Sequence, residues 1–263
     1  MSTNNVLIIG AGRMAQAIVK GLKKSHDQQI TIANKTNKER LEKVANTYQL
    51  KTTNDWRTSL SEYDLIVLAI PKEEHDHILE SMYPKIDQQF VVTVAAGVDV
   101  SYLEERLPEG TPAAWIMPNT AASIAESMTL YAPGRFVGDS QQERIETLLS
   151  NIGSYQTLTE DQVHLLTPIT GSAPAFIHRM AEVLIEKAKT SGVSEDVATE
   201  LVAQMIKGSA EMLRSDDRKP EELINEVASP GGVTEAAMTV FDDYHFDQMM
   251  DSVIKACYKR ADQ

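Results

Sequence analysis

One cysteine, Cys257, stands alone among 263 residues, so the chain forms no internal disulfide and no cysteine-based metal cluster. No apolar run approaches the roughly 18–20 residues that span a bilayer. The opening Met1-Ser2-Thr3-Asn4-Asn5 lacks a basic stretch followed by a long apolar one, which argues against a signal peptide. Bases are scarce: 25 Lys and Arg face 38 Asp and Glu, for a formal net charge of −13. General nucleic-acid binding needs the opposite balance, although a local basic pocket for one phosphate is compatible with it. These absences lead us to expect a cytoplasmic protein with neither membrane nor nucleic-acid partners. What is present is ordinary for a globular chain, with 42% apolar and 24% charged residues. The length suits one large or two modest domains.

The first half alternates strand and helix patterns. Val6-Leu7-Ile8-Ile9 is a short apolar run, and Met14, Ile18 and Leu22 follow at helical spacing. Further strands are expected at 30–33, 65–70, 90–94 and 113–117, and others at 128–131 and 154–157 around a helix at 141–150. Such alternation predicts an α/β fold with a mostly parallel sheet covered on both faces. From about Thr159 onward no strand pattern is found. Phe176, Met180, Val183, Leu184 and Ala188 share one helical face, Gly192 closes that helix, and Ser194 opens the next. Pro220 restarts a helix at its first position. The expected division is therefore 1–158 for the sheet domain and 159–263 for an all-helical domain. The helical faces are wide for about 100 residues, which points to burial against a second subunit.

Gly10-Ala11-Gly12-Arg13-Met14-Ala15 follows the first strand and opens a helix, the context that a dinucleotide-binding turn requires. Gly10 permits the tight turn, Gly12 lets a pyrophosphate approach the backbone, and the small Ala15 lets helix and strand pack closely. The phosphate charge then meets free N–H groups at the helix start. NAD-binding units usually end the second strand with Asp or Glu for the ribose diol. Here that strand runs into Asn34-Lys35-Thr36-Asn37-Lys38, which suits a 2′-phosphate, so NADP(H) is favoured over NAD(H). Near the other end, Thr170-Gly171-Ser172-Ala173-Pro174-Ala175 and Ser229-Pro230-Gly231-Gly232-Val233-Thr234 each precede a helical pattern. Free amides at such helix starts suit a carboxylate.

With these segments in place, the chain resembles the pyrroline-5-carboxylate reductases over nearly its full length. The resemblance is carried by the glycine turn, the Asn34 region, Ala95-Ala96-Gly97-Val98, Met117-Pro118-Asn119-Thr120 and the two C-terminal segments. It implies a Rossmann-type N-terminal domain and an all-helical C-terminal dimerisation domain, with dimers that assemble further, into decamers in many members. It also implies NADPH-dependent reduction of the cyclic imine 1-pyrroline-5-carboxylate to L-proline. On this resemblance the substrate carboxylate is held by backbone amides at 231–234 and the Ser229 hydroxyl, with Gly231, Gly232 and Val233 lining it. Thr234 matches the threonine that hydrogen-bonds the ring nitrogen. Ala69, Ile70 and Pro71, the Ala95-Ala96-Gly97 turn and Asn119 match positions lining the cofactor, beside Gly10, Ala11, Gly12, Arg13, Met14, Asn34, Lys35 and Thr36.

The chain departs from the family pattern at several points. Pro71-Lys72 reverses the usual Lys-Pro order, Ala173 replaces a glycine, Ala121 a proline and Val233 a threonine. These exchanges keep two alternatives open: reduction of another cyclic imino acid, or a weakly active NADP(H)-binding paralogue with a regulatory role. A β-hydroxyacid dehydrogenase shares the domain plan, but no lysine matches its motif beside 170–175. Glu73-Glu74-His75-Asp76-His77 resembles a metal cluster, yet two histidines two residues apart on a helix point to different sides. It is read as a solvated helix start. His164 and His178 are read as packing or surface residues, and the methionines mostly as core filling, with Met14 and Met117 beside cofactor loops.

Overall fold

The structure, a computed structural model, describes residues 4–24, 28–35, 37–215 and 217–261. The chain forms two compact units, one running to Gly171 and a second spanning Ser172–Arg260.

The first unit is built on an eight-stranded sheet. In chain order its elements are β1 (Asn4–Ile9), α1 (Arg13–Leu22), β2 (Gln28–Ala33), α2 (Lys38–Tyr48), β3 (Lys51–Thr53), β4 (Leu65–Leu68), α3 (His75–Met82), β5 (Phe90–Thr93), α4 (Val100–Glu104), β6 (Ala113–Met117), β7 (Ser127–Pro133), α5 (Asp139–Ile152), β8 (Gly153–Thr157) and α6 (Glu160–Thr167). The strand order is β3-β2-β1-β4-β5-β6-β7-β8. All pairs are parallel except β6 with β7. The first six strands thus follow the order of the doubly wound dinucleotide-binding fold, with its switch point between β1 and β4.

Burial explains why β1 reads as an unbroken apolar run. Val6 and Ile8 join the core on one face of the sheet, with Ile18, Leu22, Leu148 and Ile152 from α1 and α5. Leu7 and Ile9 join the core on the other face, with Ile78, Leu79 and Leu103 from α3 and α4. A strand covered on both sides has no polar face to alternate.

The structure differs from the sequence expectations in particular places. The strand expected at 65–70 ends at Leu68: Ala69 N–H closes the ladder on the Ile9 carbonyl at 2.8 Å, and the chain then leaves the sheet. The short polar strand β3 carries no apolar run and was not anticipated. Helix α6 packs with the sheet, in the first compact unit. The reason is Val163, which is buried among Val100, Trp115, Met117 and Leu130. Pro168–Ser172 form a π turn, so the 170–175 segment is already partly helical and is not a plain loop before a helix start.

His75 also departs from expectation. Expected in a solvated helix start, it is instead fully buried at the first residue of α3. Its Nδ1 lies 3.0 Å from the Pro71 carbonyl and its Nε2 lies 2.9 Å from Thr93 Oγ1. The Tyr102 ring stands edge-on at 6.5 Å. Asp76 anchors the same helix to α4 by accepting from the Tyr102 hydroxyl at 2.5 Å and from Arg106 Nε at 2.6 Å.

The second unit contains α7 (Ala173–Lys189), α8 (Glu195–Ser215), α9 (Pro220–Val227), α10 (Val233–Asp243) and α11 (Phe246–Ala261). Much of its apolar surface is open within one chain. Met180, Val183, Leu201 and Met205 are 46%, 48%, 58% and 46% exposed, whereas Ala198 and Val202 are buried. Among the described residues no helix is long and apolar enough to cross a membrane.

Burial holds the His75 imidazole below its ordinary pKa, against smaller upward pulls from the Pro71 and Lys72 backbone and from Asp76 and Glu74. Above about pH 6.5 the ring is neutral in both folded and unfolded chains. Below that value the unfolded chain takes up a proton that the folded chain refuses, so stability falls with falling pH, by at most about 1.4 kcal/mol per pH unit. The melting temperature of the wild type is therefore expected to drop more steeply between about pH 6.5 and pH 5 than that of a His75→Gln variant. Parallel slopes would show that His75 protonates as freely folded as unfolded.

Candidate active site

The sheet gathers its chemistry along one edge. Gly10, Ala33, Ala69 and Val94 are the first or last residues at the carboxyl ends of β1, β2, β4 and β5, and Gly10 N–H donates to the Ala33 carbonyl at 2.8 Å. Gly10 has φ +118°, and a Cβ there would overlap the Ala69 carbonyl oxygen. Only glycine fits this position. Gly12, by contrast, has nothing within 4 Å of the place a Cβ would take, so a ligand can approach its backbone.

Helix α1 begins immediately after Gly12 with no side-chain cap and no acid in its first turn. The amides of Arg13, Met14 and Ala15 are therefore free for an anion, and the helix dipole favours one. Ala11 and Ala15 are buried, which lets the helix pack close against the sheet, and Arg13 is exposed beside the turn.

A cavity at the same edge is lined by Gly10, Asn34, Lys35, Asn54, Arg57 and Ile70, among others. The Arg57 guanidinium lies 4.3 Å above the ring of the buried Trp56. Lys35 Nζ lies 3.2 Å from His77 Nε2, while Asn34 Nδ2 donates to the Asn37 carbonyl at 3.1 Å. Thr36, expected among the cofactor residues, lies outside the described residues. Asn54, Trp56 and Arg57 were missed by the sequence reading, because they follow the polar edge strand β3. The available signal was the Trp56-Arg57 pair shortly after Asn54, two elements past the basic end of β2.

The Ala95-Ala96-Gly97 turn follows β5, with Gly97 at φ +72°. Ala95 is fixed at both ends of its backbone: its N–H donates to Thr93 Oγ1 at 3.2 Å, and its carbonyl accepts from Trp115 Nε1 at 3.0 Å. Trp115 in turn packs against the His164 ring at 4.6 Å, and His164 Nε2 lies 3.1 Å from Asp99 Oδ2. His164 is thus engaged in packing and a polar contact with Asp99, and His178 is exposed on α7. Asn119 closes the edge after β6. Its Oδ1 accepts from Ala121 N–H at 3.0 Å and its Nδ2 donates to the Thr170 carbonyl at 3.1 Å. The Thr170 hydroxyl is buried without a partner among the described residues. The residues present along this edge fit a dinucleotide: a side-chain-free turn, free helix amides, cations at the end of β2 and an orphan hydroxyl.

In the second unit, Ser229-Pro230-Gly231-Gly232 forms a turn closed by Gly232 N–H donating to the Ser229 carbonyl at 2.9 Å. Gly231 has φ +74°, as the third residue of a type II turn demands, and Pro230 suits the second. Helix α10 starts at Val233, so the amides of Val233 and Thr234 lie in its first turn without intrahelical partners. Glu235 reaches back and accepts from Gly231 N–H at 2.7 Å. Of the amides expected to hold a carboxylate, those of Gly231 and Gly232 are thus used within the chain.

Comparison with known proteins agrees with both halves. A family model described as pyrroline-5-carboxylate reductase dimerisation matches residues 160–263, and one described as NADP oxidoreductase, coenzyme F420-dependent, matches residues 5–97. The chain therefore carries a dimerisation domain of that type. The Mycobacterium leprae pyrroline-5-carboxylate reductase is 30% identical over 287 aligned positions, covering 100% of this chain and 97% of that protein. Pyrroline-5-carboxylate reductase 2 of Bacillus subtilis is 29% identical, covering 96% of this chain and 92% of its own. The 1-pyrroline-5-carboxylate reductase structure from Streptococcus pyogenes superposes with a TM-score of 0.88 at 28% identity, covering 98% and 97% of the two chains. The Plasmodium falciparum pyrroline carboxylate reductase, solved with NADP bound, shares the fold at 22% identity and a TM-score of 0.89 over 99% of this chain and 98% of that one. A turn that only glycine can make, a sheet in the doubly wound order and a Ser-Pro-Gly-Gly turn opening a helix thus occur together in a chain that belongs to the pyrroline-5-carboxylate reductase family.

Proposed function

We propose that the protein reduces 1-pyrroline-5-carboxylate to L-proline with NADPH, as a homodimer or a larger assembly of dimers. The observation that carries this reading is the turn at 229–232 running into α10, which leaves the Val233 and Thr234 amides free beside the Thr234 hydroxyl. Two N–H groups and an O–H at one helix start suit a substrate with a carboxylate next to a ring nitrogen. The bound cofactor supplies the hydride. The chain's own residues bind and orient: α10 amides and the Ser229 hydroxyl hold the carboxylate, and Thr234 orients the ring nitrogen and passes it a proton from water. A protonated imine is already electrophilic, so the protein needs no strong acid; orientation and exclusion of water do most of the work.

The cofactor reading rests on the α1 amides after Gly12 for the pyrophosphate and on Lys35 with Arg57 for a 2′-phosphate. No carboxylate stands at the end of β2. Ala69, Ile70, Pro71, Ala95, Ala96, Gly97 and Asn119 line the nicotinamide side in this reading. The apolar surface of α7 and α8 is the face that a second subunit covers.

A second reading, in which the preferred substrate is a different cyclic imino acid, rests on the exchanges at Pro71-Lys72 and Ala173. The Glu235 carboxylate on Gly231 N–H stands beside the anion anchor in either reading. A purified-protein assay against a panel of imines, with NADPH and NADH in parallel, decides between the two. Turnover of 1-pyrroline-5-carboxylate above six-membered and 2-carboxylate imines supports the first reading, and the reverse order supports the second. Tight NADPH binding without turnover on any imine removes both.

Thr234→Ala is expected to lower kcat/KM by about 10- to 1000-fold, the loss of one hydrogen bond to a charged group plus its orientation. Unchanged steady-state kinetics in a folded variant would take Thr234 out of the mechanism. Glu235→Gln keeps an acceptor for Gly231 N–H and removes the charge. It is expected to lower the KM for an anionic imine about two- to fivefold at low ionic strength, with the gain shrinking in added salt. A KM that rises, or a gain indifferent to salt, would show that Glu235 does not act through its charge. The double variant Lys35→Ala, Arg57→Ala is expected to raise the KM for NADPH by about tenfold or more and leave that for NADH within about twofold. Equal losses for the two cofactors would place the 2′-phosphate elsewhere.

A further inference from the structure

His75 is a buried imidazole that the proposed chemistry does not use, and it is hydrogen-bonded at both nitrogens. The hydrogens in this network can be assigned by elimination. The Pro71 carbonyl has only lone pairs to offer, so Nδ1 carries the proton. Burial disfavours the imidazolium, so Nε2 is bare and must accept. The Thr93 hydroxyl therefore donates to Nε2, and its oxygen accepts the Ala95 N–H. A single directed chain results: Ala95 N–H to Thr93, Thr93 O–H to His75, and His75 Nδ1–H to the Pro71 carbonyl. Hydrogen bonds aligned in this way reinforce one another in a dry interior.

The chain joins two loops at the carboxyl edge of the sheet. One leaves β4 through Ala69, Ile70 and Pro71; the other leaves β5 through Ala95, Ala96 and Gly97. Pro71 has no N–H of its own, and its carbonyl also receives Glu74 N–H at 3.1 Å. Ala95 is held from its other side by Trp115. The His75–Thr93 contact thus sets the separation of two backbone segments at the carboxyl edge of the sheet.

We infer that His75 and Thr93 are positioning residues for the nicotinamide half of the cofactor, acting through the Pro71 carbonyl and the Ala95 amide. The inference rests on the NADPH reading above, which assigns both loops to that half. His75 and Thr93 touch no reacting atom. They hold the spacing of the slot in which the ring lies, and neither lines the cavity of Lys35 and Arg57 that takes the adenine half.

The test is a pair of binding constants measured on the full-length protein, with Thr93→Val, Thr93→Ser, His75→Leu and wild type compared. The ligands are NADPH and 2′-phospho-ADP-ribose, which keeps the adenine half and the pyrophosphate but lacks nicotinamide. Thr93→Val keeps the shape and removes the hydroxyl, so it guards against a His75 variant that fails to fold. The expected result is an NADPH Kd about tenfold higher in Thr93→Val and His75→Leu, the loss of one buried hydrogen bond. The Kd of the fragment stays within about twofold, and Thr93→Ser restores wild-type values for both. In turnover, kcat falls more than KM for the imine rises. Equal weakening of both ligands, or a lowered melting temperature with both Kd values unchanged, overturns the inference and leaves His75 as core filling. Failure of the wild type to bind NADPH while it binds the fragment would instead overturn the nicotinamide assignment of the two loops, and the inference with it.

Discussion

The Ala69 carbonyl oxygen occupies the space where a side chain at position 10 would stand. Much of the first unit follows from that single steric fact. With no Cβ and a positive φ, Gly10 lets β1 turn sharply enough for α1 to begin at Arg13, so the amides of its first turn lie over the end of the strand. Because β4 neighbours β1, the same contact brings the Ala69-Ile70-Pro71 loop against the turn. The crevice at the switch point is therefore made by two backbones in contact, and side chains contribute little to its floor. An alanine at position 10 would have to push β1 and β4 apart, against a core in which Ile8, Val67 and Val92 are fully buried. The resulting strain would fall on the part of the sheet where a dinucleotide is expected to lie.

The second unit obeys a different constraint. Its helices are amphipathic, yet within one chain they leave residues such as Leu201 and Val183 about half exposed. Isolated exposed leucines are common, but several on consecutive turns of α7 and α8 make a continuous apolar surface, and such a surface normally meets a partner. The match of residues 160–263 to a dimerisation domain agrees with that pattern. Helix α10, which opens with the Ser-Pro-Gly-Gly turn, belongs to this unit.

Most of the sheet was legible because its strands are covered on both faces and read as plain apolar runs. The glycine turn was legible because its neighbours, a strand before and a helix after, give an otherwise weak motif its meaning. What escaped were features with no periodicity to betray them. The strand β3 is three polar residues at the sheet edge, visible only through its pairing with β2. Asn54 and Arg57 line the cavity by virtue of that strand, so they escaped with it. His75 was misread for a related reason. Five consecutive polar residues suggest solvent, yet α3 starts inside that run and its first residue faces the sheet. Thr93 supplies the hydroxyl that makes burial of the ring tolerable, and only the structure brings the two side chains together. Glu235 was passed over because a glutamate in a first helical turn is ordinary; its reach back to Gly231 gives it meaning at this site.

The reversed Pro71-Lys72 pair shows how an exchange in a binding loop can be absorbed by geometry. Pro71 adopts φ −59° and ψ 152°, an extended conformation that proline takes without strain, and its missing N–H is not needed because β4 has already ended. Lys72 then opens a short helical turn and lies across the glycine turn after β5. Its Nζ is 3.2 Å, and its Cδ 3.6 Å, from the point a Cβ on Gly97 would occupy. Gly97 is thus constrained twice, by its positive φ and by the lysine stem above it. In a loop of the usual order the cation would come one residue earlier, on the other side of the extended backbone. Moved one position on, it still reaches the rim, by folding over Gly97. The swap therefore keeps one proline and one cation beside the site while exchanging which backbone amide is lost. It also leaves the Pro71 carbonyl facing inward to His75, a contact that fixes the loop from beneath while Lys72 covers the neighbouring turn.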